Sequence, residues 1–274
     1  MVATPLGHLR DVTLRALDVL AGVDAIFAED TRVSGVLLAR YGIATRPTAL
    51  HAHNEARRVA DVVAALAAGR SVALCTDAGT PAVSDPGARL VAAVRDAGYR
   101  VIPVPGPSAV AAAVSAAGLS AEQFVFAGFL PAQGKARREL LATLAPLPFA
   151  LVFYEAPHRV RSCVAELAAA LDPARMLVVA RELTKTFETI ARMPLGDAVE
   201  WIAADANRER GEFVLLVDAL SAVKAPATVG AEAARWLDAL VAELPPARAA
   251  RIVADLTGAP RDALYERAVA ARKR

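Results

Sequence analysis

The chain is poor in cysteine, in long apolar runs and in charge of one sign, and each shortage excludes a class of protein. Only two of its 274 residues are cysteine, Cys75 and Cys163, far apart and in no Cys-x-x-Cys pair. That argues against a disulfide framework and fits buried thiols in a reducing, cytosolic compartment. Apolar residues make up 55% of the chain, but they are mostly Ala and Val scattered among charges. No stretch reaches the roughly 18 uninterrupted apolar residues that a membrane helix needs. The opening residues Met1–Pro5 hold neither a basic stretch nor a long apolar one, so no secretory signal is expected. A formal net charge of +2 permits an anionic partner without demanding one. There is no Gly-x-Gly-x-x-Gly, no phosphate-binding P-loop and no internal repeat.

What is present is turn chemistry at the ends of apolar runs. Val72-Ala73-Leu74 leads into Cys75-Thr76-Asp77-Ala78-Gly79-Thr80-Pro81-Ala82-Val83-Ser84-Asp85-Pro86-Gly87, and Val101-Ile102 leads into Pro103-Val104-Pro105-Gly106-Pro107-Ser108-Ala109. Gly opens backbone conformations that other residues avoid, and Pro fixes φ and lacks an N–H. Two rigid loops of this kind, carrying Asp77, Thr80, Ser84, Asp85 and Ser108, predict a small-molecule site beyond the carboxyl ends of an open α/β sheet.

Strand-like and helical runs alternate to about residue 220. Strands are expected at 25–28, 72–74, 101–104, 124–126, 151–154, 177–180 and 213–217. Helices are expected at 12–20, 34–41, 56–67, 88–97, 110–117, 160–171 and 195–204. This pattern implies a mostly parallel sheet with right-handed crossovers. The turn-rich, basic segment 128–138 breaks the rhythm and marks a domain boundary or an exposed loop. After Val223-Lys224-Ala225-Pro226 the strands stop, and helices are expected at 230–244, 247–256 and 260–272, the last two joined by Thr257-Gly258-Ala259 as in a helix-turn-helix. Ile252, Val253, Leu256, Leu264 and Val269 supply this tail with its own apolar positions, and Arg261, Arg267, Arg272, Lys273 and Arg274 lie on or beyond its last helix.

Several polar clusters sit where strands end. Glu29-Asp30-Thr31-Arg32 brings carboxylates and a guanidinium together, although Asp30 or Thr31 also suits a helix cap. His51 and His53 stand two residues apart with no third ligand nearby, so no metal is expected and Asn54 reads as a cap. Phe153–Arg159 and Ala180–Lys185 likewise place charges just past a strand.

These segments, with Thr4-Pro5-Leu6-Gly7 and Arg210-Gly211-Glu212, occur in an order that resembles the tetrapyrrole-methylase superfamily over nearly the whole chain. Within it the chain is similar to the branch of small-subunit ribosomal RNA methyltransferases I. The resemblance implies two α/β domains, 1–117 and 118–223, with S-adenosylmethionine in the cleft between them, followed by a small helical module at 226–274. It also implies methylation of a cytidine ribose 2′-hydroxyl in the decoding region of small-subunit ribosomal RNA, by a cytoplasmic homodimer. His8 stands where relatives usually have Asn, and relatives carry residues ahead of the first strand.

Carried over by position, Leu6, Gly79, Thr80, Pro81, Ser108, Ala109, Tyr154 and Glu155 would hold the cofactor, with Thr80 in place of the superfamily's Asp. Ribose hydroxyls are poor nucleophiles, so a base or a charge-stabilising group is expected: Asp30, Glu55 or Glu182, with Arg32 and Lys185 to position phosphate or activate the base. Lys135, Arg137, Arg138, Arg261 and Arg267 would contact RNA. A small-molecule methyltransferase acting on a tetrapyrrole, and a non-catalytic RNA-binding or ribosome-assembly factor, are the alternatives; the basic segment and the helical tail count against the first.

Overall fold

The computed structural model describes residues 1–51, 54–219 and 230–272. His53, Val223–Pro226, Lys273 and Arg274 lie outside the described residues. The chain divides into two units, Met1–Leu220 and Ser221–Arg274.

The first unit opens with residues 1–4 in extended conformation beside two other segments. The Val2 amide donates to Leu74 O at 2.8 Å, and Val2 bridges Val104 in parallel. Helix α1 (Leu14–Gly22) follows, started by Thr13, whose hydroxyl accepts from the Ala16 amide at 3.1 Å. Then come β1 (Ala25–Ala28), α2 (Thr31–Arg40), β2 (Pro47–Ala49), α3 (Glu55–Ala67), β3 (Val72–Cys75), α4 (Ala88–Asp96) and α5 (Ala109–Ala117). The strands form a parallel sheet in the order β2-β1-β3. Segment 101–104, expected as a strand, contributes only the bridge at Val104. Pro103 and Pro105 on either side have no N–H to give to a ladder.

A second sheet follows in the same unit. Its elements are β4 (Phe124–Phe129), α6 (Gly134–Leu144), β5 (Ala150–Glu155), α7 (Val160–Ala170), β6 (Met176–Arg181), β7 (Thr189–Pro194), α8 (Ala198–Ala203) and β8 (Phe213–Val217). The order is β4-β5-β8-β6-β7; β4 and β5 run parallel and the other pairs are antiparallel. The expected parallel arrangement therefore holds in the first sheet, and the second is mixed. Only residues 182–188 separate β6 from β7, too few for a crossover, so those strands form a hairpin.

The central strands of this sheet are buried on both faces. Leu151, Phe153, Leu215 and Val217 pack with α6, α7 and α8 on one side. Val152, Val214 and Leu216 meet Ala113 and Ala117 of α5 on the other. Small residues on α5 let its backbone sit close to the sheet, which carries the helix across from the first sheet's half of the chain to the second sheet.

Among the described residues, the second unit is three helices, α9 (Ala231–Glu243), α10 (Pro246–Thr257) and α11 (Arg261–Arg272), around Leu237, Ala249, Ala250, Val253, Leu264 and Ala268. Gly258, with φ +69°, closes α10 in the left-handed conformation that favours glycine. Val253 and Leu264 are in this core as expected, whereas Leu256 is 70% exposed. Among the described residues no helix is long and apolar enough to cross a membrane.

Candidate active site

A cavity of about 370 Å³ lies where the loops after the strands of both sheets in the first unit converge. One wall comes from the loops that the sequence singles out. Thr4 and Gly79 exchange a pair of backbone hydrogen bonds, both 2.9 Å, and the Thr80 hydroxyl donates to Pro107 O at 3.0 Å. These bonds tie three loops into one surface carrying Leu6, Asp77, Gly79, Thr80, Asp85, Ser108 and Ala109. Gly79 has φ +85°, and a Cβ there would meet Leu6 at an ordinary 3.5 Å, so the backbone angle rather than space requires glycine. Ala82 and Ser84 also take positive φ, 68° and 67°, a sparsely populated state for residues with side chains.

The opposite wall comes from the second sheet: Tyr154 and Glu155 from the end of β5, Ala180 from β6, Leu183, and Glu212, Phe213 and Val214 at the start of β8. The Tyr154 hydroxyl accepts from the Val110 amide at 3.1 Å in the first turn of α5, which anchors one wall to the other. Glu155 is buried; it accepts from its neighbour's amide at 2.9 Å and pairs with Arg159 at 3.3 Å.

The charge on the lining is one-sided. Glu29, Asp77, Asp85, Glu155 and Glu212 line the cavity, and among the described lining residues there is no Lys, Arg or His. Burial is the main cause that pushes Asp85 up to about 7, and the nearby Glu29 carboxylate, with smaller contributions from Asp77 and Glu212, adds to it. Glu29 and Asp77 are raised as well, burial being the main cause in both. Carboxyl groups that share a poorly hydrated site resist losing all their protons together.

Seven of the eight residues expected at the cofactor line this cavity: Leu6, Gly79, Thr80, Ser108, Ala109, Tyr154 and Glu155. Pro81 is buried beside them without lining it. The expected catalytic set fares differently, because none of its five residues is on the wall. Asp30 caps α2, accepting from the Arg32 amide at 2.8 Å, and pairs with the Arg32 guanidinium at 2.5 Å. That pairing holds Asp30 down to about 2, a carboxylate unsuited to taking a proton at neutral pH. Glu55 is buried and serves the start of α4, its Oε1 accepting from the Gly87 and Leu90 amides at 3.1 and 3.2 Å. The carboxylates that line the cavity are instead Glu29, Asp77, Asp85, Glu155 and Glu212.

Glu182 and Lys185 stand one step behind the wall. Lys185 Nζ donates to Glu182 Oε1 and Glu212 Oε2, both at 2.8 Å, and Glu182 Oε1 also accepts from the Glu212 amide at 2.9 Å. Burial would raise Glu182, but Lys185 and the Glu212 amide outweigh it and hold its carboxyl below the usual range. Gly211, with φ +92°, leaves room for this network, since a Cβ there would run into the Glu182 side chain. Gly7 leaves similar room for the Lys185 stem.

Among the residues expected at RNA, Arg137 is a correction. It is buried, paired with Glu166 of α7 at 3.1 Å, and holds α6 against α7. Segment 128–138 is the end of β4, a short loop at 130–133 and the start of α6, whose helical phase turns Arg137 inward while Lys135 and Arg138 remain exposed. Arg261 is exposed, and Arg267 pairs with Asp238 of α9 at 2.9 Å.

Residues 1–199 match the family described as Tetrapyrrole (Corrin/Porphyrin) Methylases, and residues 227–272 match the RsmI C-terminal HTH domain. The chain belongs to the tetrapyrrole methylase family. Within it the chain is 46% identical, over 269 residues, to a Pseudomonas aeruginosa protein named ribosomal RNA small subunit methyltransferase I, covering 98% of this chain and 95% of that one. A Vibrio cholerae protein of the same name is 48% identical over 266 residues, covering 97% of this chain and 92% of that one. Among solved structures, cobalt precorrin-4 methyltransferase aligns with a TM-score of 0.61 at 19% identity, covering 79% of this chain and 92% of that one. A uroporphyrin-III-C-methyltransferase from Thermus thermophilus aligns with a TM-score of 0.58 at 24% identity over the same shares. At such identities these two show the shared fold.

Proposed function

We propose that this family member methylates the ribose 2′-hydroxyl of a cytidine in the decoding region of small-subunit ribosomal RNA, with S-adenosylmethionine as donor. The observation that carries the donor assignment is the acidic, cation-free lining of the cavity. A sulfonium is a cation with an apolar body, and a half-apolar pocket edged by carboxylates suits both parts. Leu6, Gly79, Thr80, Ser108, Ala109 and Tyr154 would hold it, with the tight loops giving close backbone approach. When bound, S-adenosylmethionine supplies an activated methyl group for in-line displacement, which needs neither a metal nor a covalent intermediate. The RNA assignment rests on the 46–48% identity to proteins named for that substrate and on the C-terminal match.

The chain's own part in the reaction is to place the ribose and take up its proton. Asp85 Oδ is the acceptor in this reading, because it lines the cavity and its proton affinity matches neutral pH, where general bases act best. Glu182 and Lys185 act by holding Glu212, and Asp30 with Arg32 by fixing the start of α2. Lys135, Arg138, Arg261 and Arg267 would meet phosphates. A cytoplasmic homodimer with lobes at 1–117 and 118–223 and a helical module at 226–274 belongs to the same reading.

The test has two arms. Calorimetry should find S-adenosylmethionine binding. Labelled methyl should then pass to small ribosomal subunits from cells lacking the enzyme, appear as 2′-O-methylcytidine after nuclease digestion, and not pass to a tetrapyrrole. Transfer to the tetrapyrrole alone would reject the reading.

A further inference from the structure

Phe129 is aimed at the cavity by a backbone irregularity. In a regular strand, residues 126 and 129 point to opposite faces. In β4 the register against β5 slips between Phe126 and Gly128, so one extra residue reverses the phase. Both rings therefore meet Tyr154, Phe126 at 4.8 Å and 64°, Phe129 at 5.7 Å and 69°. Gly128 makes the bulge: its φ is +65°, and a Cβ would come within 3.1 Å of Ser84 Oγ on the facing loop. The Tyr154 ring packs against Phe129, and the 77–87 loop lies close against the neighbouring Gly128 backbone that makes the bulge.

Phe129 is nonetheless 50% exposed. Of the residues lining the cavity, Phe129, Pro157 and Glu212 are the exposed ones, so they form its mouth. An aromatic ring fixed at the mouth of an acidic cavity is the first flat apolar surface that an incoming nucleotide would meet. Sequence-specific proteins hold unpaired RNA bases on such rings.

We propose that Phe129 is the stacking platform for the nucleobase of the target nucleotide, taken from single-stranded RNA. This rests on the RNA reading given above. The stacked base leaves its ribose to point into the cavity, and the platform tolerates any base by stacking alone, since every base has a π face.

The experiment compares Phe129→Ala, Phe129→Leu and Phe129→Trp. Affinity is measured for a short single-stranded RNA carrying a fluorescent cytidine analogue, whose emission is quenched on stacking, and calorimetry follows S-adenosylmethionine. The alanine and leucine variants should lose RNA affinity about 5- to 150-fold, the equivalent of the roughly 1–3 kcal/mol of one stacked base. They should also lose the quenching. The tryptophan variant should keep both, S-adenosylmethionine affinity should stay at the parent value throughout, and the melting temperature should fall only slightly in the alanine and leucine variants, which lose the ring contact with Tyr154. Parent-like RNA affinity in the leucine variant would show that the side chain needs no π face and would overturn the proposal. A fall in S-adenosylmethionine affinity with RNA affinity kept would also overturn it, placing the ring at the donor. A parent protein that takes S-adenosylmethionine but binds no RNA would bring down the RNA reading itself, a result distinct from equal RNA binding by parent and variants.

Discussion

Replacing Asp85 by asparagine should raise stability and sharply lower turnover, and the opposite signs make the test sharp. The ordinary aspartate value is 3.8 and Asp85 is pushed up to about 7 in the folded chain. Between about pH 4 and 7 the folded protein keeps a proton that the unfolded chain has lost. Stability therefore falls as pH rises through that window and levels off above it. The full gap of about three pH units is equivalent to about 4 kcal/mol. The cavity mouth is open to water, which screens the effect, so about 1–2 kcal/mol is the reasonable size. Asparagine has no such proton to lose; the variant should melt about 3–6 °C above the parent at pH 8 and match it near pH 4. As general base, Asp85 should contribute about 10²- to 10⁴-fold to kcat. The parent's kcat/KM should climb tenfold per pH unit to a plateau near 7, while the variant's should be low and lack that rise. Differential scanning fluorimetry across pH and single-turnover methyl transfer check the two halves. A variant with kcat within threefold of the parent would refute Asp85 as the base. An equal melting difference at pH 4 and pH 8 would refute the origin assigned to its raised proton affinity.

Gly211→Ala should cost about 1–3 kcal/mol, since its φ of +92° is strained for alanine and the methyl displaces Glu182. The double variant with Glu182→Ala should lose clearly less than the sum, and simple additivity in urea melts would show that the Glu182 contact does not matter. Arg137→Ala should lower the melting temperature by about 3–8 °C, because Glu166 loses its buried partner, while leaving the salt dependence of RNA binding unchanged. A changed salt slope would return Arg137 to the RNA surface. Neutralising Lys135 and Arg138 together should reduce the slope of log affinity against log salt by about 1–2, with S-adenosylmethionine binding untouched; an unchanged slope would remove α6 from the RNA interface.

Much of this molecule is legible in one dimension. β5 and β8 are buried on both faces, and such strands read as unbroken apolar runs. The Asp77–Gly87 and Pro105–Ala109 loops announce themselves through Gly and Pro, whose backbone constraints are local. The three tail helices follow from periodicity, from the Pro245-Pro246 pair after the first of them, and from Gly258 at the end of α10; that Pro246 itself opens α10 came from the structure. β7 was not legible, because an edge strand with one wet face and charged residues carries little apolar signal. Segment 101–104 misleads in the other direction, since its apolar residues are real but its prolines cannot complete a ladder.

The chemistry of the site was decided in three dimensions. Glu29 and Asp30 are neighbours in sequence, yet one lines the cavity and the other caps α2, according to where β1 ends and the helix begins. Lys135, Arg137 and Arg138 form one basic run until the turn of α6 buries the middle member against Glu166. Phe129 reaches the cavity only through the bulge at Gly128. Burial pattern and turn chemistry act over a few residues and are written in local sequence. Which side chain faces the cavity depends on strand register and on elements far apart in the chain, and those are set by the tertiary packing alone.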